Sequence, residues 1–144
     1  MKKFGIIGVI FCMIFVVSFF LGKNARVCVV KLDNTVWKIE MAITPEEQER
    51  GLMYRTKLCD TCGMLFVFDT ISPKTFWMKN TMIPLDMYFY DNDGKLVDSV
   101  KNMRPERETK ETMQYTSRPA QYVVEVNAGS QLFQPESFDP RECL

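Results

Sequence analysis

The side chains able to do chemistry in this 144-residue chain are limited from the start, because it contains no histidine. That excludes serine–histidine and cysteine–histidine catalysis and any histidine-bearing metal site. What remains are carboxylates, lysine, cysteine, tyrosine and serine. Their densest grouping is Trp77, Lys79, Asn80 and Thr81, followed by Pro84 and Asp86, polar groups that interrupt an otherwise apolar stretch. If these converge at one rim of a sheet, Lys79 and Asn80 could hold an anionic or carbonyl group while Trp77 stacks against it. Asp86 would then serve as an acceptor, or as a general base whose pKa is raised by apolar surroundings. The structural alternative has Asp86 accepting backbone N–H bonds in a turn, or pairing with Lys79 to fix a strand crossing.

Cys59 and Cys62 form the second candidate, with Asp60 and Thr61 between them. In an oxidising compartment the pair could form a local disulfide or exchange redox equivalents. A thioredoxin-like site places this motif after a strand and at a helix N-terminus, whereas here it precedes a strand, so a structural disulfide or two loop thiols is the reading adopted. An all-cysteine zinc site would also need Cys28 and Cys143, at a spacing matching no ribbon pattern, and no metal or cofactor is assigned. Asp91 to Gly94 looks like part of a calcium loop but reads as a hairpin turn. Arg50 and Arg55 flank the end of a short helix, where they could reach the sheet rim or simply complement the helix dipole.

The elements that must position these groups are mostly strands. Val27 to Leu32, the pair Asp33-Asn34, and the alternation of Trp37, Ile39, Met41 and Ile43 with more polar neighbours predict a β-hairpin with one buried face. Thr44, Pro45 and Glu47 supply an N-cap, a proline at the first helical position and a capping-box glutamate, predicting a helix from about Pro45 to Tyr54. Met64 to Phe68 reads as a strand buried on both faces, and Phe76 to Lys79 and Leu85 to Tyr90 as two more. The turn from Asp91 to Gly94 joins the last of these to a strand from Lys95 to Val100. Lys101 to Pro119 reads as a long charged loop before a final strand, Tyr122 to Val126, and a weakly patterned tail. At least six strands to one short helix predict a mainly β domain, a compact sandwich or jelly-roll-like barrel.

Lys2 and Lys3 precede eighteen uncharged residues, Phe4 to Leu21. As a helix rising ~1.5 Å per residue, that run comes close to the ~30 Å hydrocarbon thickness of a bilayer. Residues 1–22 are therefore read as a signal anchor, with a cleaved signal peptide as the alternative, and residues 4–21 as the membrane contact. The preceding charges put the rest outside the cytoplasm, on the periplasmic side, or secreted if the segment is cut. Residues 23–35 form a linker and first strand. The formal net charge is zero and no basic stripe is interleaved with aromatics, so no nucleic-acid partner is expected.

Several phrases occur together and in order: Gly51-Leu52-Met53-Tyr54-Arg55, the run Gly63 to Phe68, the run Phe76 to Met87, the turn from Asp91 to Gly94, and the run Tyr122 to Gly129. Over residues 36–129 the chain closely resembles domain-of-unknown-function family 192, a set of uncharacterised, often membrane-associated proteins. The resemblance implies a mainly β, jelly-roll-like domain and supplies no activity, catalytic residue or ligand. The charged stretch from Lys101 to Lys110 and the short tail, residues 130–144, depart from the family pattern. Three function classes follow. The first is a membrane-tethered binding or accessory module of the cell envelope, serving a small ligand or an envelope protein, with no catalysis. The second is an envelope hydrolase or transferase using Asp86 with Lys79 or Glu125. The third is a thiol-redox protein working through Cys59 and Cys62.

Overall fold

The computed structural model describes residues 25–144, so the segment expected to anchor or export the chain lies outside the described residues. Among the described residues no helix is long and apolar enough to cross a membrane. The fold is carried by one six-stranded sheet in the order β1-β2-β3-β6-β4-β5. Its strands are β1 (Val27–Leu32), β2 (Thr35–Ala42), β3 (Cys62–Trp77), β4 (Leu85–Tyr90), β5 (Leu96–Met103) and β6 (Gln114–Asn127), with one short helix, α1 (Pro45–Arg50), between β2 and β3. Every pairing is antiparallel except β2 with β3, which run parallel. A parallel pair needs a crossover, and α1 with the residues after it supplies that connection.

Both hairpins form where local pattern predicts them. Val30 faces Trp37 across the first, whose turn holds Asp33 at a φ of 51°. Tyr90 faces Leu96 across the second, closed by the Asp91 carboxylate accepting the amides of Asp93 and Lys95. The capping box at Thr44 is complete, with the Thr44 hydroxyl accepting from the Glu47 amide and the Glu47 carboxylate accepting from the amides of Thr44 and Ile43. Those backbone bonds hold the Glu47 carboxyl down at about 2. The helix stops sooner than expected, at Arg50, because Gly51 takes a φ of 46° and its amide closes onto the Glu47 carbonyl.

The middle of the chain departs from expectation. The strands predicted at Met64–Phe68 and Phe76–Lys79 are two ends of one 16-residue strand, β3, and much of the predicted loop Lys101–Pro119 is strand as well. Asp69, Ser72 and Pro73 argue against a strand when read alone. They are tolerated because the ladder between β3 and β6 is irregular between Val67 and Ser72, and Pro73 faces Pro119, where neither has a proton to donate. At this irregularity the ribbon bends sharply. An extended strand advances about 3.3 Å per residue, which would put residues ten apart over 30 Å from each other. Yet the rings of Phe66 and Phe76 meet edge to face at 5.0 Å, and Phe76 reaches Phe89 of β4 at 5.9 Å.

The outer half of the β3–β6 ribbon thus folds back over one face of the sheet. The edge strands β1 and β5 do not pair, so the sheet is not closed and the expected barrel is not formed. One mixed sheet, bent over itself, replaces the two separate sheets or closed cylinder that the strand count suggested. Alternation then produces two cores. Trp37, Ile39, Leu65, Tyr88, Tyr90 and Val124 pack on one face, while Met64, Phe66, Met87, Phe89 and Val123 pack on the other. Gly63 lets the central strands approach, since a Cβ there would lie 2.8 Å from the Glu125 carbonyl. The tail, weakly patterned in sequence, closes the first core with Phe133 and Phe138. The Tyr90 hydroxyl donates to the Pro135 carbonyl, and a disulfide joins Cys143 to Cys28 of β1.

Candidate functional site

The bend in β3 creates a concavity. Its two arms contribute Phe66 and Phe68 on one side and Phe76 and Trp77 on the other, while Gly51, Leu52 and Met53 lie over it from the end of α1. The cavity, open on one side, holds about 200 Å³, and its polar floor is Glu125 from near the C-terminal end of β6, with Thr81 beside it. Over Tyr122 to Val126 this central strand is buried on both faces, and register sets Glu125 between Met64 of β3 and Met87 of β4. The residue is 5% exposed. Burial alone, with no hydrogen bond or nearby charge contributing, pushes its carboxyl up to about 8. A protonated acid at neutral pH is the consequence of putting this group among methionines and phenylalanines without a partner.

The grouping Trp77, Lys79, Asn80, Thr81 and Asp86 does not assemble into one site. Trp77 is half-exposed at the rim, where it lines both the Glu125 cavity and a neighbouring hollow shared with Lys79, Asn80 and Tyr54. The Lys79 ammonium lies over the Trp77 ring, 5.3 Å from its centroid. Asn80 acts through its backbone: at a φ of 55° its carbonyl accepts from the Tyr54 amide and ties the segment after α1 to the loop. Thr81 is buried and lines the cavity.

Asp86 points to the opposite face of the sheet. It faces Val126 across the ladder while Met87 faces Glu125, so the two carboxyl groups lie on different sides of the sheet. Only 2% exposed, Asp86 accepts the amides of Asn102 at 2.8 Å and Gly129 at 3.0 Å, with the Lys101 ammonium 3.7 Å away. The structural alternative holds for Asp86, with Lys101 in place of Lys79. A hydrolytic pair of Asp86 with Glu125 or Lys79 has no common cleft. We expect Asp86→Ala to strand two amides and cost about 2–3 kcal/mol. Lys79→Ala should stay within about 0.5 kcal/mol, and denaturant unfolding of both variants checks the contrast.

Arg55 is committed as well. Its guanidinium makes a bidentate pair with Glu40 at 2.5 and 2.7 Å, which holds the Glu40 carboxyl below its ordinary value. Cys59 and Cys62 are joined as a disulfide at the start of β3, and the Asn127 side-chain amide donates to the carbonyls of Leu58 and Cys59. Cys28, which a four-cysteine zinc site would require, is bonded to Cys143 instead. Sequence reading named Glu125 only as a second carboxylate for Asp86. The signal for its real position is a lone acid inside the valine run of Tyr122 to Val126, in a strand buried on both faces.

The chain belongs to domain-of-unknown-function family 192 (DUF192), described as "Uncharacterized ACR", whose model matches residues 28–132. Two solved structures resemble it at 35% identity. One is a protein of unknown function from Novosphingobium aromaticivorans DSM 12444, with a TM-score of 0.60 over 72% of each chain. The other is a proposed transcription regulator from Sinorhizobium meliloti 1021, with a TM-score of 0.59 over 74% of this chain and 81% of that one. A comparison with curated proteins gives no match.

Proposed function

We propose that this protein is a small-ligand-binding module, tethered by its N-terminal segment and facing an oxidising compartment outside the cytoplasm. The observation that carries the reading is Glu125, a buried carboxyl group without a partner at the floor of an aromatic-walled cavity. A fold keeps such a group at a cost in stability, and buried acids of raised pKa in hollows mark functional sites. Binding rather than turnover is favoured because, among the described residues, no titratable group shifts the proton affinity of Glu125, although Glu49 and Arg50 also line the cavity. Two disulfides among the described residues support the oxidising compartment, and the apolar run after Lys2 and Lys3 supports the tether. The sequence relative described as a proposed transcription regulator does not carry over, since the charges here balance and form no basic stripe.

A thermal-shift screen of the detergent-solubilised full chain against amines, sugars, amides and carboxylates tests the binding function. One class should raise the melting temperature of the wild type and leave Glu125→Gln unshifted, whereas no shift with any class would sink the reading. Protease treatment of intact spheroplasts tests the location. Digestion of the domain is expected, and protection would place it on the other side.

A further inference from the structure

We infer that the Glu125 cavity receives a small organic ammonium ion, held by the Glu125 carboxylate beneath, with the rings of Phe66, Phe76 and Trp77 lining the space around it. The inference rests on the binding function proposed above and names the ligand class. The carboxyl floor and the aromatic walls of the cavity both favour positive charge. Aromatic faces carry negative electrostatic potential and attract ammonium groups, most strongly where water is excluded. The outer surface of this ribbon already shows the preference, with the Lys74 ammonium 4.3 Å from the centre of the Phe68 ring and Lys79 over Trp77.

The floor offers a carboxyl with no counter-ion, so an entering cation gains an ion pair in a low-dielectric setting without breaking an existing one. The other groups facing Glu125 are the thioethers of Met64 and Met87 and the Thr81 hydroxyl, none of which supplies a charge. From α1, Glu49 and Arg50 line the cavity with opposite signs. An anionic ligand would take one hydrogen bond from the protonated acid but would sit against the negative potential of the ring faces. A neutral one would gain a single hydrogen bond and leave the negative potential of the ring faces unused. At about 200 Å³ the space suits an amine of a few carbons.

The proton balance makes this testable. With its carboxyl near 8, Glu125 is protonated in about nine-tenths of molecules at pH 7, so capture of an already charged ammonium must release that proton to solvent. Titration calorimetry of the full chain in detergent, with n-butylamine at pH 7 in buffers of different ionisation enthalpy, should show release of roughly 0.9 proton per amine bound. The apparent affinity should rise about fifty-fold from pH 6 to pH 8, a range over which butylamine stays charged. Glu125→Gln, which keeps the shape of the neutral acid, should remove the pH dependence and weaken butylamine at least tenfold.

n-Butanol, which matches the amine without its charge, separates the two readings. If butanol binds as well as butylamine and no proton is released, the cavity binds ligands but not as a cation site, and this inference falls alone. If butylamine, butanol and every class in the thermal-shift screen all fail, the binding function falls with it. The proton count is read on the wild-type protein, so it stands even where Glu125→Gln fails to fold.

Discussion

Glu125→Gln will melt at the same temperature as the wild type near pH 4 and well above it at pH 8.5. In the unfolded chain Glu125 ionises near the ordinary carboxyl value of 4.5, while in the folded protein it holds its proton to about 8. Below 4.5 both states are protonated and the group makes no difference. Between 4.5 and 8 only the unfolded state loses its proton, so wild-type stability falls as pH rises, and above 8 the loss is complete. At about 1.4 kcal/mol per pH unit, the full effect is on the order of 5 kcal/mol. Glutamine has no proton to lose and removes this slope. Thermal melts of the two proteins from pH 4 to pH 9 provide the measurement, and parallel curves would mean that Glu125 ionises normally in the folded state.

The second large effect belongs to the disulfide between Cys28 and Cys143, whose 115-residue separation places it across nearly the whole described chain. Closing so long a loop restricts the unfolded chain severely, by about 4–5 kcal/mol on a chain-entropy account. The double variant Cys28→Ser, Cys143→Ser should lose most of that, with a fall in melting temperature of roughly 15 °C. Cys59→Ser, Cys62→Ser should lose about 2 kcal/mol or less, since a separation of three residues restricts little. Equal losses from the two pairs would mean that the long disulfide acts through the folded state, not through the freedom of the unfolded one.

What could be read in the sequence was what neighbouring residues decide among themselves. The two hairpins, the capping box at Thr44 and the doubly buried run at Met64 are local patterns, and each forms where the pattern lies. The bend in β3 was not legible. Asp69, Ser72 and Pro73 have the composition of a loop, and they sit in a strand only because β6, more than forty residues away, pairs with both arms. The same distance hid the link from Cys28 to Cys143, which no spacing rule predicts.

The candidate site divides along similar lines. Trp77 and Thr81 do line the cavity, whereas Asp86, two residues beyond Pro84, belongs to the other side of the sheet. Alternation along β4 and β6 settles the matter once Met87 is known to face Glu125, but that register is a long-range fact. A lone acid within the apolar run Tyr122 to Val126 was visible from the start. Its meaning depended on what lay above it, and that was set by the bend.

The one parallel pairing in the sheet bears on the order in which the molecule assembles. The hairpins β1–β2 and β4–β5 join residues close in sequence and can form within microseconds. The β3–β6 pairing between them is anything but local: Gly63 must find Val126. β2 can add to β3 only in the parallel sense, after α1 has turned the chain around. Central strands therefore come together last and commit both hairpins at once, and a high contact order places folding in the range of milliseconds to seconds. β4 can reach β6 over a shorter span, Tyr90 to Tyr122, but until β3 joins, the Tyr122 to Val126 strand keeps one open edge, so the slow step in making this protein is also the one in which an apolar strand edge stands exposed.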